Sequence, residues 1–103
     1  MKVSGWNNGR PNNQTGAGYG VRISKDDRDT FFKREWKSVV VKSDGDSIVC
    51  NLSNAFWKNC PELRNKKIGK WMLNKKIAPW PESNPPRLEL TPTSNQEFRL
   101  TLI

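Results

Sequence analysis

Two β-rich runs joined by a tight turn lie in the middle of this chain. Residues 37–42 (KSVVVK) and 47–52 (SIVCNL) flank the tetrapeptide SDGD, and Asp-Gly is a strong signal for a hairpin turn. In the second run Ile48, Cys50 and Leu52 fall on one face of the strand, so Cys50 is predicted to be a core residue. An antiparallel hairpin of this kind favours a small mixed barrel or α+β sheet over a doubly wound parallel sheet.

Further strands and short helices are predicted on either side of this hairpin. Apolar residues alternate over residues 19–23, which indicates a strand, and Ser24 is a suitable N-cap for a short helix. Ser53 can cap another short helix, and Pro61 suits either the first turn of a helical segment or a restart of the chain. Residues 88–102 have the pattern of a closing hairpin. The sequence therefore predicts an α+β fold, a small, mostly antiparallel β barrel or sheet with two or three short helices.

The N-terminal residues have a different composition from the rest of the chain. Residues 1–16 are rich in Asn, Gly, Gln, Thr and Pro, show no periodicity and contain one aromatic residue, Trp6. We therefore predict a flexible N-terminal arm over residues 1–16 and a single globular domain over residues 17–103. Deletion of residues 1–14 is expected to leave the fold nearly intact.

The residue types that most small enzymes and metal sites need are missing or badly spaced. The chain of 103 residues has no histidine, so neither a Ser-His-Asp nor a Cys-His arrangement can form within it. Cys50 and Cys60 have no CxxC spacing, and the acids at 26–29 and 44–46 suit a helix start and a turn. The glycines at 16–20 lack the following Gly-Lys-Ser/Thr of a phosphate-binding loop and are interpreted as a flexible entry to the sheet. Neither an enzyme nor a cofactor nor a metal is predicted.

No segment has the pattern of a secretion signal or a membrane span. The first residues lack a continuous apolar region, and no run approaches the ~18 apolar residues that a bilayer span requires. We therefore predict a cytoplasmic protein with both thiols reduced and no membrane partner.

Positive charge is concentrated in one segment of the chain. The net charge is +8 and the isoelectric point is near 9.9, a balance that favours polyanionic partners. Residues 53–79 contain seven Lys or Arg and one acid, Glu62. Pairing within a helix cannot neutralise these cations, so a surface for a polyanion is favoured over a merely solvated face.

The most basic stretch, residues 65–76 (NKKIGKWMLNKK), is predicted to be a helix with two different faces. Ile68, Trp71 and Met72 have the i, i+3, i+4 spacing of a core-facing stripe, and Lys66 and Lys70 lie in a separate row. Cations of this segment and of the arm are the first set of candidate phosphate contacts: Arg10, Arg64, Lys66, Lys67, Lys70, Lys75 and Lys76.

A family resemblance runs through the central half of the chain. The segments WKSVVVKSDGDSIVCNLSNAFW, IGKWMLNKKIAPW and PPRLEL together resemble the B3-like pseudobarrel DNA-binding domains of plant transcription factors and some bacterial restriction enzymes. The resemblance implies a barrel that grips DNA through two arms entering the major groove. It adds candidates in two regions, Arg22, Lys25 and Arg28 after the first strand, and Asn54, Trp57 and Lys58 after the central hairpin.

These observations lead to one main functional hypothesis and one alternative. The main hypothesis is a small nucleic-acid-binding module for duplex DNA, with a basic surface centred on residues 54–76. The alternative is a protein-interaction or regulatory subunit that binds an acidic partner. An enzyme ranks third because no catalytic constellation is recognisable.

Overall fold

Ten short elements follow one another along the chain. The computed structural model describes residues 1–103. Its three helices are α1 (Lys25–Phe31), α2 (Asn54–Trp57) and α3 (Lys66–Asn74). Its strands are β1 (Lys2–Asn7), β2 (Tyr19–Arg22), β3 (Ser38–Ser43), β4 (Asp46–Asn51), β5 (Glu62–Arg64), β6 (Arg87–Ser94) and β7 (Glu97–Leu102). The predicted α+β class with short helices is confirmed.

All seven strands belong to one curled sheet. Their order is β4-β3-β7-β6-β1-β2-β5, and every pairing is antiparallel except the parallel contact of β3 with β7. The two edge strands, β4 and β5, approach each other, and the side-chain amide of Asn65 donates a hydrogen bond of 2.8 Å to the carbonyl of Val49. The sheet is therefore a nearly closed, barrel-like and mostly antiparallel one.

Strand β1 corrects the prediction of a flexible N-terminal arm. Residues 2–7 lie inside the sheet, paired with β2 on one side and β6 on the other. The inward-facing residues are Val3 and Gly5, and a Cβ atom added at Gly5 would lie 2.8 Å from the Pro86 ring. Because a glycine occupies the second inward position, the alternating apolar pattern of a strand is absent from this sequence.

The loop of residues 8–18 is held in place rather than flexible. Two of its asparagine side chains, those of Asn8 and Asn12, accept hydrogen bonds from the backbone N–H groups two residues further on. Gly16, with φ of +85°, lies against the backbone of α3 at Gly69, where an added Cβ atom on either glycine would overlap the other segment. The glycines interpreted as a flexible entry to the sheet therefore permit close packing.

The central hairpin is confirmed together with its turn. Ser43 pairs with Asp46, and the two residues between them, Asp44 and Gly45, both have positive φ, as a type I′ turn requires. Cys50 points into the core and is fully buried, as predicted from the alternation.

We expect the two thiols to differ sharply in reactivity. Burial raises the pKa of Cys50 to about 12, so its thiol stays protonated at pH 8, whereas Cys60 is only half-buried. A thiol-reactive disulfide reagent should therefore modify one cysteine of the folded protein and two in denaturant. Rapid modification of both thiols in the folded protein would contradict the buried position of Cys50.

Helix α3 has the predicted register. Asn65 caps its N-terminus by accepting from the N–H of Lys67, and Ile68, Trp71 and Met72 are buried. The Trp71 indole Nε1 donates to Asp44 Oδ2 at 3.0 Å, which joins the helix to the β3–β4 turn. The core-facing stripe of this helix is therefore confirmed.

The segment after Pro61 forms β5 and not a helix. Its three residues pair with β2, and a strand this short contains too few residues to show a periodicity. None of the three helices is long and apolar enough to cross a membrane.

Candidate nucleic-acid interface

All candidate residues from the sequence except Arg22, which ends β2, fall into two groups at opposite ends of the barrel. Helix α1 follows the end of β2, whereas α3 packs beside the loop that precedes β2, so the length of β2 separates the two helices. Four strand residues span about 10 Å. Lys25, Arg28, Asn54, Trp57 and Lys58 lie at the α1 and α2 end, and Arg10, Arg64, Lys66, Lys67, Lys70, Lys75 and Lys76 at the α3 end. The candidates expected in one surface over residues 54–76 therefore lie in two groups.

Arg28 is a structural residue and not a surface phosphate ligand. Its side chain is buried, and Nη1 donates to the carbonyls of Phe56 at 3.1 Å and Lys58 at 3.3 Å. Its Nε also pairs with Asp29 at 2.9 Å. Because these contacts tie α1 to α2 and bury the side chain, the candidate role of Arg28 in binding nucleic acid is replaced by a structural one.

Trp57 is half-buried beside the same contacts. The Arg34 guanidinium lies 4.9 Å from the centre of its ring, and the Arg28 guanidinium lies 5.7 Å away. The nearby candidates Lys25, Asn54 and Lys58 are exposed. Of the candidates at this end, two lysines and one asparagine are thus exposed to a partner, while Trp57 already packs against arginines.

Two of the five lysines in and directly after α3 are engaged within the molecule. Lys70 Nζ donates to the carbonyl of Gln14 at 3.0 Å, and Lys75 Nζ pairs with Asp44 at 2.7 Å. Hydrogen bonds from Lys75 and, to a smaller extent, from Trp71 hold the pKa of the Asp44 carboxyl below its usual range. Lys66, Lys67 and Lys76 are exposed and make no ion pair.

The sheet register assembles a second set of cations on its solvent-facing side. Arg22 of β2 lies opposite Ser4 of β1, and Ser4 lies opposite Arg87 of β6. Two residues further along β1, Trp6 lies opposite Gly20, which in turn lies opposite Arg64. Two residues before Ser4, Lys2 lies opposite Glu89. We call this set the outer basic face, and it consists of Lys2, Trp6, Arg22, Arg64 and Arg87.

A buried carboxylate orients two arginines of the outer basic face. The side chain of Glu62 is only 1% exposed, and it accepts from Arg22 Nε at 3.2 Å and from Arg64 Nη2 at 2.8 Å. The arginine side chains remain about half exposed, at 55% and 52%. Each guanidinium has five N–H donors, so both keep donors free for a ligand. Glu62 therefore positions two cations without neutralising both.

Two depressions flank this arginine pair. The first is a cleft of about 500 Å³ that we call the Trp6 cleft, and it is lined by Trp6, Asn8, Ala17, Gly18, Tyr19, Arg64, Asn65 and Lys66. In it the Arg64 guanidinium lies 4.6 Å from the centre of the Trp6 ring. The second is a groove of about 340 Å³ that contains Lys2, Ser4, Arg22 and Arg87.

Sequence reasoning missed three members of this surface. Lys2 and Trp6 belong to the predicted flexible arm, and Arg87 occurs only within the PPRLEL segment of the family resemblance. Arg87 is exposed and makes no ion pair. Its place on this surface is set by the pairing of β6 with β1, which the local sequence does not show. The one available signal was Trp6 itself, a large aromatic residue within an otherwise polar segment.

Comparison with known proteins gives no match, whether to a family model, to a curated protein or to a solved structure.

Proposed function

We propose that this chain is a small nucleic-acid-binding module whose target is duplex DNA. The observation that carries the proposal is the outer basic face, where four cations meet two acids, Glu62 and Glu89, on neighbouring strands. Cations in excess of local acids attract phosphates and release their counterions, which supplies most of the sequence-independent affinity for nucleic acid.

Arginine geometry supports phosphate as the ligand. Planar guanidinium groups bind phosphate oxygens through paired N–H donors, and Glu62 holds those of Arg22 and Arg64 in fixed positions. Side chains fixed before binding lose less conformational entropy when a ligand arrives. At the α3 end, Lys66 extends the positive surface beyond Arg64.

The B3-like resemblance supplies the expected mode of base contact. In that mode Lys25, Asn54 and Lys58, at the end of the barrel beside Arg22, belong to the two arms that enter the major groove. The outer basic face then contacts the backbone, which positions the protein but reads no sequence.

Binding titrations against three polymers test the proposal. A labelled 20-base-pair duplex, a single-stranded RNA and polyglutamate are each titrated with the protein at several salt concentrations. We expect the duplex to bind with an affinity that falls steeply with salt, and polyglutamate to bind at least tenfold more weakly. Comparable or tighter binding of polyglutamate would favour the alternative, a subunit that recognises an acidic protein partner.

Removal of the α3 lysines should weaken duplex binding with little effect on stability. The triple substitution of Lys66, Lys67 and Lys70 by Gln removes three exposed charges, and only Lys70 has an internal contact. Each lost phosphate contact should reduce the slope of log affinity against log salt by about 0.9. Titrations of parent and variant at four salt concentrations measure that slope.

A matched pair of double variants separates the surfaces. Replacement of Lys2 and Arg87 by Gln removes two charges from the outer basic face, whereas replacement of Lys33 and Lys37 removes two exposed charges outside it. Only the first pair should reduce the slope. Equal effects of both pairs would show that the protein binds through its net charge alone.

The triple variant of Lys66, Lys67 and Lys70 has its own contrary outcome. An unchanged affinity and slope would show that these lysines are a solvated face.

A further inference from the structure

Trp6 is the one tryptophan that the core does not use. Trp71 is buried, and Trp36, Trp57 and Trp80 pack against the core, whereas Trp6 lies on the solvent-facing side of β1. Its ring stacks on no other aromatic ring and makes one cation–π contact, with the Arg64 guanidinium. Trp6 is half-buried, and tryptophan is enriched at binding interfaces because its ring adds a large apolar contact area and its N–H can still meet a polar partner.

The Trp6 cleft is large enough for a small aromatic ligand. Its volume of about 500 Å³ lies within the range of about 300 to 1,000 Å³ that small-molecule sites occupy. Tyr19, which lines the cleft, has its hydroxyl hydrogen-bonded to Asn13, so this part of the wall is fixed. The adjacent loop packs closely against α3 at Gly16 and Gly69, so the side of the cleft formed by Ala17 and Gly18 is also held in place.

Polar groups in the cleft select for a ligand with many acceptors. No Asp or Glu lines it, while Arg64 and Lys66 bring positive charge to one side. The Asn8 side-chain oxygen already accepts from the N–H of Arg10 at 2.9 Å, which leaves its amide N–H groups free to donate. The cleft therefore suits an aromatic ring that carries acceptors and a nearby negative charge, and it repels a cationic one.

We propose that the Trp6 cleft binds one unpaired nucleotide of a nucleic acid, its base against Trp6 and Arg64 and its phosphate at Arg64 and Lys66. This inference rests on the proposed function and narrows its ligand to a duplex with an unpaired nucleotide or to a single strand. A base within an intact duplex has both faces covered by its neighbours, so it cannot stack on a side chain. Stacking on an aromatic ring tolerates any base, so the site adds affinity for unpaired nucleotides with little sequence preference.

Fluorescence anisotropy with four labelled oligonucleotides tests this inference. The set comprises a perfect duplex, the same duplex with a two-nucleotide bulge, the single-stranded DNA and the single-stranded RNA of that sequence. We expect the bulged duplex to bind about tenfold more tightly than the perfect duplex, because stacking one base on an aromatic ring adds affinity of that order. A similar gain in affinity for both single strands would show that the cleft takes a nucleotide from DNA or RNA, and a gain for the RNA alone would show that it takes a ribonucleotide. Either result upholds the inference.

Three variants assign the preference to the cleft. Trp6→Ala should abolish the tenfold preference for the bulged duplex over the perfect duplex. Trp6→Phe, which keeps a ring, should retain most of it. Ala17→Leu narrows the cleft at an exposed lining position without changing Trp6, so it gives the same test if Trp6→Ala does not fold.

The outcomes separate this inference from the proposed function. If the parent binds neither the bulged duplex nor a single strand more tightly than the perfect duplex, or if Trp6→Ala and Ala17→Leu both retain the preference, the cleft does not take a nucleotide and duplex binding still stands. If no nucleic acid binds, the proposed function fails and the inference fails with it.

Discussion

A chain that lacks residues 1–14 should be unfolded at 25 °C. The deletion removes β1, which lies between β2 and β6, so it leaves two unpaired strand edges within the sheet. It also uncovers the apolar side of the sheet where Val3 is buried. A domain of this size has a total stability of only about 5–15 kcal/mol, and the loss of an interior strand is expected to exceed it. Far-UV circular dichroism and a thermal melt measure the result.

A variant changed on the same strand is the control for this deletion. Lys2→Gln combined with Ser4→Ala alters two outward-facing residues and keeps both strand pairings and Val3. This variant should melt cooperatively close to the parent temperature. A cooperative melt of the deleted chain within about 5 °C of the parent's melting temperature would contradict the interior position of β1 and support the prediction of a flexible arm.

Trp71→Ala should reduce the free energy of unfolding by about 3–5 kcal/mol. The side chain is 7% exposed and belongs to the buried stripe that joins α3 to the sheet. The substitution leaves a cavity under the helix, and it removes the hydrogen bond that the indole donates to Asp44. Urea denaturation followed by circular dichroism measures the change, because the far-UV signal does not depend on the lost fluorophore.

Asn74→Ala is the matched control on the same helix. Asn74 is exposed in the last turn of α3, so its substitution should change the free energy of unfolding by less than about 0.5 kcal/mol. A loss under about 1 kcal/mol for Trp71→Ala would mean that the indole contributes little to the core, in conflict with its buried position.

The central hairpin and α3 were predictable because their signals are local. The Asp44–Gly45 turn joins two strands that pair with each other, so alternation and turn chemistry lie within one stretch of chain. In α3 the apolar stripe repeats within three turns, and Asn65 marks its start. No distant residue is needed to recognise either element.

Strands β1 and β5 were not predictable because their pairing partners are distant and their own patterns are incomplete. The inward side of β1 carries a glycine whose place in the core is covered by Pro86, which is about eighty residues away in the chain. Strand β5 has three residues and exists through its pairing with β2. The interpretation of residues 1–16 as an arm failed for the same reason.

The candidate interface shows the same division. The excess of lysines in residues 53–79 is a matter of counting, and so is the absence of histidine. Whether a given cation is available to a ligand depends on its neighbours in space. Arg28 is buried because α2 packs over it, whereas Arg87 joins Arg22 because β6 pairs with β1 and β1 with β2.

The sequence by itself determined the α+β class, the hairpin turn, the caps and the core-facing stripe of α3, because each depends on residues within a few positions of one another. Only the tertiary structure decided that the N-terminal residues form an interior strand, that the predicted basic surface divides between two ends of the barrel, and that Trp6 and Arg64 enclose a cleft. Those features depend on strand register between segments far apart in the chain. A shift of one residue turns every side chain of a strand to the opposite face, and the composition of the chain does not encode that choice.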